Sequence, residues 1–170
     1  MANDKQHTLV WHADDVKASH IDPEVNNGFA QFIKDKCEDT GKVKTIHGKV
    51  HDHLGVNLDL IKKGVIAMDM TDCLQSMFDD FSADLKTTAA SPAADHLFQV
   101  RETTKPDKAR AEEFHNVTAR GFFTCKRARQ DIQQAISFLC TRVRELDLDD
   151  WGKSCHMMKH LKGTQCLKLK

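Results

Sequence analysis

Strand-like alternation in this chain ends near position 70, and everything after position 107 repeats its apolar residues at helical spacing. Strands grouped ahead of helices predict an α+β fold, because a parallel βαβ sheet needs the two patterns interleaved. The alternation begins with two short runs, 8–11 and 16–19, separated by His12, Ala13, Asp14 and Asp15. They read as a β-hairpin with two carboxylates at its tip. One helix interrupts the strands. Asp22 and Pro23 supply an acidic cap and a proline at the first helical position, and Val25, Phe29, Phe32 and Ile33 follow at helical spacing until Asp39, Thr40 and Gly41. From 42 to 70 the alternation returns. Val43 and Thr45 precede a turn at Gly48, Leu54, Val56 and Leu58 alternate with polar residues, and Lys62, Lys63 and Gly64 turn the chain into a final run at 65–68. This predicts a small antiparallel meander.

Thr71 is read as the cap of a helix over 71–83 that carries Leu74, Met77, Phe78 and Phe81. Residues 82–106 hold Pro92 and Pro106 and little periodicity, which predicts a long linker or wrapping loop. Three helices follow at 107–128, 131–145 and 148–162. Phe114, Val117, Phe122 and Cys125 mark the first, Ile132, Ile136, Leu139 and Val143 the second, and Trp151, Met158 and Leu161 the third. The Met and Phe stripes read as core packing. Three regions result: 1–70, 71–104 and 105–170.

A chain of 170 residues is long enough for one domain with a core of its own. The net charge is zero, but the average hides an asymmetry. Residues 1–104 carry 11 basic and 17 acidic side chains, and residues 105–170 carry 14 basic and 8 acidic ones. A basic half fits contact with a polyanion, whereas a whole-chain pI of about 7.1 argues against a dedicated, strongly basic nucleic-acid binder. Six cysteines without C-x-x-C spacing read as buried free thiols of a reducing compartment, not as a disulfide frame or a zinc site. No apolar stretch approaches the roughly 18 residues of a membrane span, so a soluble intracellular protein without membrane contact is expected.

Adjacent aspartates at a hairpin tip suit a divalent cation beside a substrate phosphate, because Mg2+ takes hard oxygen ligands and binds through few carboxylates plus phosphate oxygens. Aspartate is also a common turn former, so the pair alone does not separate a metal site from a solvated turn. The flanking residues do more. "LVWHADDVKASHIDP" resembles the "YVDD" segment of copia-type (pseudovirus) reverse transcriptases in its variant form "WHVDDLKISHVDP". Three more blocks follow in the family's order. "GKVHDHLGVNLDL" is similar to "GKVHDYLGMTLDF", "SPAADHLFQV" to the loop after the thumb helix, and "FFTCKRARQDIQQAISFLCTRV" with "HLKGT" to "LLFLCKRARPDIQTAVAFLCTRV" with "YLRGT". The likeness covers residues 5–165.

The resemblance implies a partial palm over 1–70 (the hairpin and the meander), a thumb helix and linker over 71–104, and a helical connection region over 105–170. It implies that Asp14 and Asp15 are the catalytic, Mg2+-binding pair of an RNA-directed DNA polymerase. His12 and Ala13 would lie beside the primer terminus and incoming nucleotide, Lys49 near the nucleotide phosphates, and His53, Leu54, Gly55 and Val56 in the primer grip. Lys126, Arg127 and Arg129 match the family's "CKRARPDI". They read either as contacts to a nucleic-acid backbone or as a solvated helix end with cations near its C-terminus. The implied partner is an RNA or DNA template-primer, together with the palm and fingers part that precedes the hairpin in the family. The family's third catalytic aspartate lies on an earlier strand, and nothing ahead of Asp14 matches it. The chain alone is therefore expected to be inactive, and a remnant that still binds nucleic acid or a partner is the alternative. The parent elements work in cytoplasmic particles, yet no address is encoded here.

The sequence departs from the family in having no tyrosine and in placing His12, His53 and His160 where the family often has one, and Gln130 where it has proline. Two other constellations carry less. His51, Asp52 and His53 would put both histidines on one strand face, but no third ligand follows at a zinc spacing. His156 and His160 are four apart on a helix without the glutamate of H-E-x-x-H.

Overall fold

The computed structural model describes residues 4–37, 39 and 41–170. The chain is mixed α and β, as the segregated patterns predict, and divides into two compact units, Met1–Leu54 and Gly55–Lys170. In the second unit Val56, Leu58 and Met70 bury themselves with Ala128, tying the end of the meander to the helices.

In the first unit, β1 (Thr8–His12) and β2 (Asp15–Ser19) pair antiparallel from Thr8↔Ser19 to His12↔Asp15. The turn is only Ala13 and Asp14, with Ala13 at φ +52°, so Asp15 opens β2 instead of sitting in the tip. The indole N–H of Trp11 donates to the Ala13 carbonyl at 2.5 Å and braces this turn. Helix α1 (Pro23–Cys37) begins as expected, with the Asp22 side chain accepting from the Glu24 N–H at 3.0 Å and proline in the first helical position. Its apolar stripe does not form a core. None of its residues is buried, Phe32 is 54% exposed, and Phe29, half-buried, meets the His7 ring edge-on at 5.5 Å. The segment 41–47 forms no strand, contrary to the reading of Val43 and Thr45. Gly41 and Gly48 bracket it at φ +153° and +139°, and turn the backbone out of a ladder. Strand β3 (Val50–His53) closes the unit. The helix end expected at Thr40 lies outside the described residues.

In the second unit β4 (Val56–Asp59) pairs with β5 (Ala67–Asp69), Asn57 opposite Asp69 and Asp59 opposite Ala67. Gly64, at φ +78°, makes the expected turn between them. The C-terminal tail adds an unforeseen rung: Met68 and Leu169 exchange main-chain hydrogen bonds at 2.8 and 3.2 Å. Helix α2 (Thr71–Asp79) starts under Asp69, whose carboxylate accepts from both the N–H and the hydroxyl of Thr71. Thr71 is thus the first helical residue, Met70 is the N-cap, and Asp69 satisfies the first N–H of the helix. Helices α3 (Lys108–Arg127), α4 (Gln133–Arg142) and α5 (Leu148–Gly163) follow, with a 3-10 turn at Gln130–Ile132. Asp107 and Asp147 cap α3 and α5 through their side chains.

These helices share one core in which Leu74, Met77, Phe114, Ile136, Leu139, Met157 and Leu161 are sealed from solvent. Gly121 lets α3 approach α4, since a Cβ there would stand 2.8 Å from Ile136 Cδ1. Phe122 does not join this core. It is half-exposed, with the Lys126 ammonium 5.2 Å above its ring. The loop between α2 and α3 wraps as expected, burying Leu97 and pinning Ser82 to Glu113. Among the described residues no disulfide forms, and of the cysteines Cys125 alone is buried. Among the described residues no helix is long and apolar enough to cross a membrane.

Candidate metal and nucleic-acid-binding residues

Two polar pairs bridge β2 and β3 within the first unit. Asp15 Oδ2 accepts the Leu54 N–H at 3.1 Å and lies 3.3 Å from His53 Nδ1. Two residues along, the Lys17 ammonium donates to His51 Nε2 at 2.5 Å. Asp15 and Lys17 share one face of β2, and His51 and His53 share one face of β3, because side chains alternate along a strand. Burial and the neighbouring Lys17 charge hold the His51 imidazole below its ordinary range, and burial lowers the Lys17 ammonium as well. A neutral His51 is the acceptor this geometry needs. Leu54, at φ +54°, presents its N–H to Asp15 from a left-handed backbone that non-glycine residues adopt rarely.

The residues expected at a metal and primer site are only partly gathered. Asp15, His53 and Leu54 meet. Asp14, His12, Ala13 and Lys49 are exposed. Gly55 and Val56 belong to the second unit, where Gly55 turns at φ +73° and Val56 is core. Among the described residues no partner meets Asp15 Oδ1 or either oxygen of Asp14, and carboxylate oxygens are the hard donors that Mg2+ takes. Two carboxylates fall short of a full set, and among the described residues the one triple carboxylate cluster lies elsewhere. An ion held here would need its other ligands from phosphate or water.

The basic trio divides. Lys126 is exposed, and Arg127 lies over the Phe123 ring, 3.6 Å from its centre. Arg129 is neither a phosphate contact nor a solvated helix end, since it has no accessible surface at all. Its guanidinium forks onto Asp131 at 2.9 and 2.7 Å and also donates to the carbonyl and hydroxyl of Thr164. His160 bonds the same carboxylate at 3.0 Å and the Ala89 carbonyl at 3.2 Å. Burial works against the Asp131 carboxylate, but Arg129 and His160 outweigh it and hold it below the usual range. His156 donates to the Ser91 carbonyl, so the two helix-spaced histidines pin the long loop.

The triple cluster is Asp147, Asp149 and Asp150, at the start of α5. Sequence reading saw there only a helix start, and the signal available was D-x-D-D next to a cap. Its charges are answered by protein cations. Lys153 lies 2.8 Å from Asp149, Arg142 lies 2.9 Å from Asp150, and His96 and Arg101 also face Asp149. Asp149 is held below its normal range by Lys153 against the pull of burial. It is a buried charge network in which nothing calls for an added ion. Comparison with known protein families, with curated proteins and with solved structures finds no match.

Proposed function

We propose that this chain is the C-terminal part of a copia-type retrotransposon reverse transcriptase, an RNA-directed DNA polymerase whose lineage chemistry is magnesium-dependent nucleotidyl transfer. The observation that carries the reading is the set of sequence blocks, in family order, that starts with the Asp14-Asp15 hairpin. The seam between β2 and β3 supports it, since the resemblance calls for the aspartate strand and the "VHDHLG" segment to work together, and Asp15 bonds both His53 and Leu54. On this reading residues 1–70 are the end of a palm, 71–104 a thumb helix and linker, and 105–170 a connection region.

Asp14 and Asp15 would hold the metal. When bound, Mg2+ would polarise the attacking and leaving oxygens of the transfer and neutralise the phosphate. The chain's own residues bind and orient. His53 and the Leu54 N–H fix the Asp15 carboxylate through Oδ2, which leaves Oδ1 for the ion. On the resemblance, His12 and Ala13 would meet the primer end and the incoming nucleotide, and Lys49, exposed like them, the nucleotide phosphates. Two carboxylates without a third bind Mg2+ weakly because like charges repel until the ion arrives. On this reading these two carboxylates by themselves would not support extension.

Paramagnetic Mn2+ tests the site in solution. Amide signals of Ala13, Asp14 and Asp15 should broaden, Mg2+ should reverse this, and Asp14→Asn should weaken it. Extension of a primed RNA template should occur only after the separately produced palm and fingers part of such an enzyme is added. Extension by the chain alone, or no metal effect at the hairpin, refutes the assignment. A second reading, a remnant that binds nucleic acid or a partner without catalysis, is favoured by the separate core of the second unit and the basic excess of residues 105–170. A duplex-binding titration that weakens steeply with salt supports it, and a salt-independent one does not.

A further inference from the structure

We propose that two copies of this chain associate through the free edge of β1, forming a four-stranded sheet in the order β2-β1-β1-β2 across a two-fold axis. Among the described residues β1 pairs with β2 alone, and all five of its residues are exposed, Leu9 by 47%, Val10 by 48% and Trp11 by 72%. Edge strands of monomers are normally protected by charge, proline, a bulge or a covering element. Thr8–His12 carries no Asp, Glu, Lys, Arg or Pro, and its ladder to β2 runs without a bulge.

The register decides which groups face outward. In a two-residue hairpin the flanking pair, His12↔Asp15, exchanges main-chain hydrogen bonds, and the pattern alternates from there. Thr8, Val10 and His12 therefore spend theirs on β2. Leu9 and Trp11 direct N–H and C=O to the open edge, and these four groups are self-complementary. An antiparallel second copy centred on Val10 sets Leu9 opposite Trp11 of the second copy, and the reverse pair repeats the arrangement. That forms four main-chain hydrogen bonds between copies. Val10 then stands opposite Val10 of the second copy in a non-hydrogen-bonded pair, where side chains approach most closely.

Side-chain chemistry agrees with the backbone. Leu9 and Trp11 share one face, so each becomes a cross-strand apolar–aromatic pair, a favourable combination in sheets. The Trp11 N–H is already given to Ala13, so covering the indole leaves no donor without a partner. No charged side chain of β1 meets its like. A two-stranded ribbon is marginal alone and four strands are not, and the unit that contains it has no buried residue among those described. The occupant that this edge fits is its own copy. The inference is independent of the polymerase reading, since it uses neither carboxylate of the tip.

Sedimentation equilibrium of the full chain, at concentrations up to about 1 mM, should show dimers. Val10→Glu is the decisive variant. Within one copy it faces Lys17 across the hairpin, so the ribbon is retained, and close Hα contacts of Leu9↔Ala18 and Trp11↔Val16 by NMR report this. Between copies it sets two carboxylates face to face, and dimerisation should weaken about tenfold or more. Mixing Val10→Glu with Val10→Lys should restore association as a heterodimer. A chain monomeric at every concentration overturns the proposal. So do dimers whose stability Val10→Glu leaves unchanged, since they join through another surface, and so does an edge that pairs only with an added foreign strand.

Discussion

The two units of this chain contain apolar residues at similar spacing and do opposite things with them. Helix α1 repeats Val25, Phe29, Phe32 and Ile33 and buries none, whereas α2 repeats Leu74, Met77 and Phe78 and buries all three. An apolar stripe becomes a core only when a second element presents a matching face. The second unit supplies three more helices and a sheet for that purpose, and the first supplies a ribbon and one short strand. The difference lies in layers, not in hydrophobicity.

Side-chain truncation should break this symmetry most sharply. Leu139→Ala or Ile136→Ala removes a fully buried side chain, and urea unfolding should report a loss of about 2–5 kcal/mol. Phe32→Ala on α1 should stay within about 0.5 kcal/mol. If Phe32→Ala proved as costly as Leu139→Ala, the first unit would have a core after all. Asp131→Ala is expected nearly as severe as the core truncations, about 3–5 kcal/mol, because it leaves the sealed Arg129 guanidinium without its carboxylate. Replacing Arg129 by Met in the same background should recover part of the loss, since an apolar group removes the unpaired charge.

Acid should separate the units by pH. Asp69, Asp131 and Asp149 titrate below their ordinary range in the folded second unit. Asp69 does so against burial because Lys168 and Thr71 hold its charge. The unfolded chain therefore binds more protons than the folded one near pH 4, and stability that is complete above about pH 4 drains as pH falls through the folded values. His51 in the first unit is also lowered, by burial and Lys17. The unfolded imidazole takes up its proton near pH 6.5, ahead of the folded one, so the seam holds fully above that pH and weakens as pH drops below it. Residue-resolved NMR should show changes around Lys17 and His51 well before core amides of α3 to α5 lose protection. Simultaneous loss would remove the distinction.

How much of this was legible follows the same line. The hairpin, the start of α1, the wrapping loop and all four helices of the second unit could be read because each rests on local signals: alternation, Asp22 with Pro23, Pro92 and Pro106, and periodic Leu, Met and Phe. What failed depends on the third dimension. Phe32 and Phe122 carry the pattern of buried residues but face solvent, since no layer lies over them. Arg129 looks like a neighbour of Lys126 and Arg127, yet the chain leaves α3 at Ala128, and the 3-10 turn carries Arg129 inward to Asp131 and Thr164. The D-x-D-D start of α5 was visible, but not that Arg142 and Lys153 would answer it. At the candidate site, the Asp14-Asp15 pair and His53 were found from sequence. The contact of Asp15 with the Leu54 N–H was not, because it joins residues 39 apart.

The smallest expected effect sharpens the comparison at the surface, where neither unit has a core to lose. Arg127 stacks on Phe123, whose ring also limits the space around Gly55. Arg127→Ala removes a cation–π contact of about 0.5–1 kcal/mol and uncovers one face of the ring. Arg127→Lys keeps the charge but loses the flat stacking plane and should cost less than the alanine change. Lys126→Ala removes a cation farther from its ring, at 5.2 Å on a half-exposed side chain, and should change stability least. Duplex binding in low salt supplies the contrast. If this end of α3 meets a phosphate backbone, Lys126→Ala should weaken binding while stability barely moves, and Arg127→Lys should preserve binding while losing some stability. Equal losses in both measurements for both variants would mean that these cations serve the fold alone.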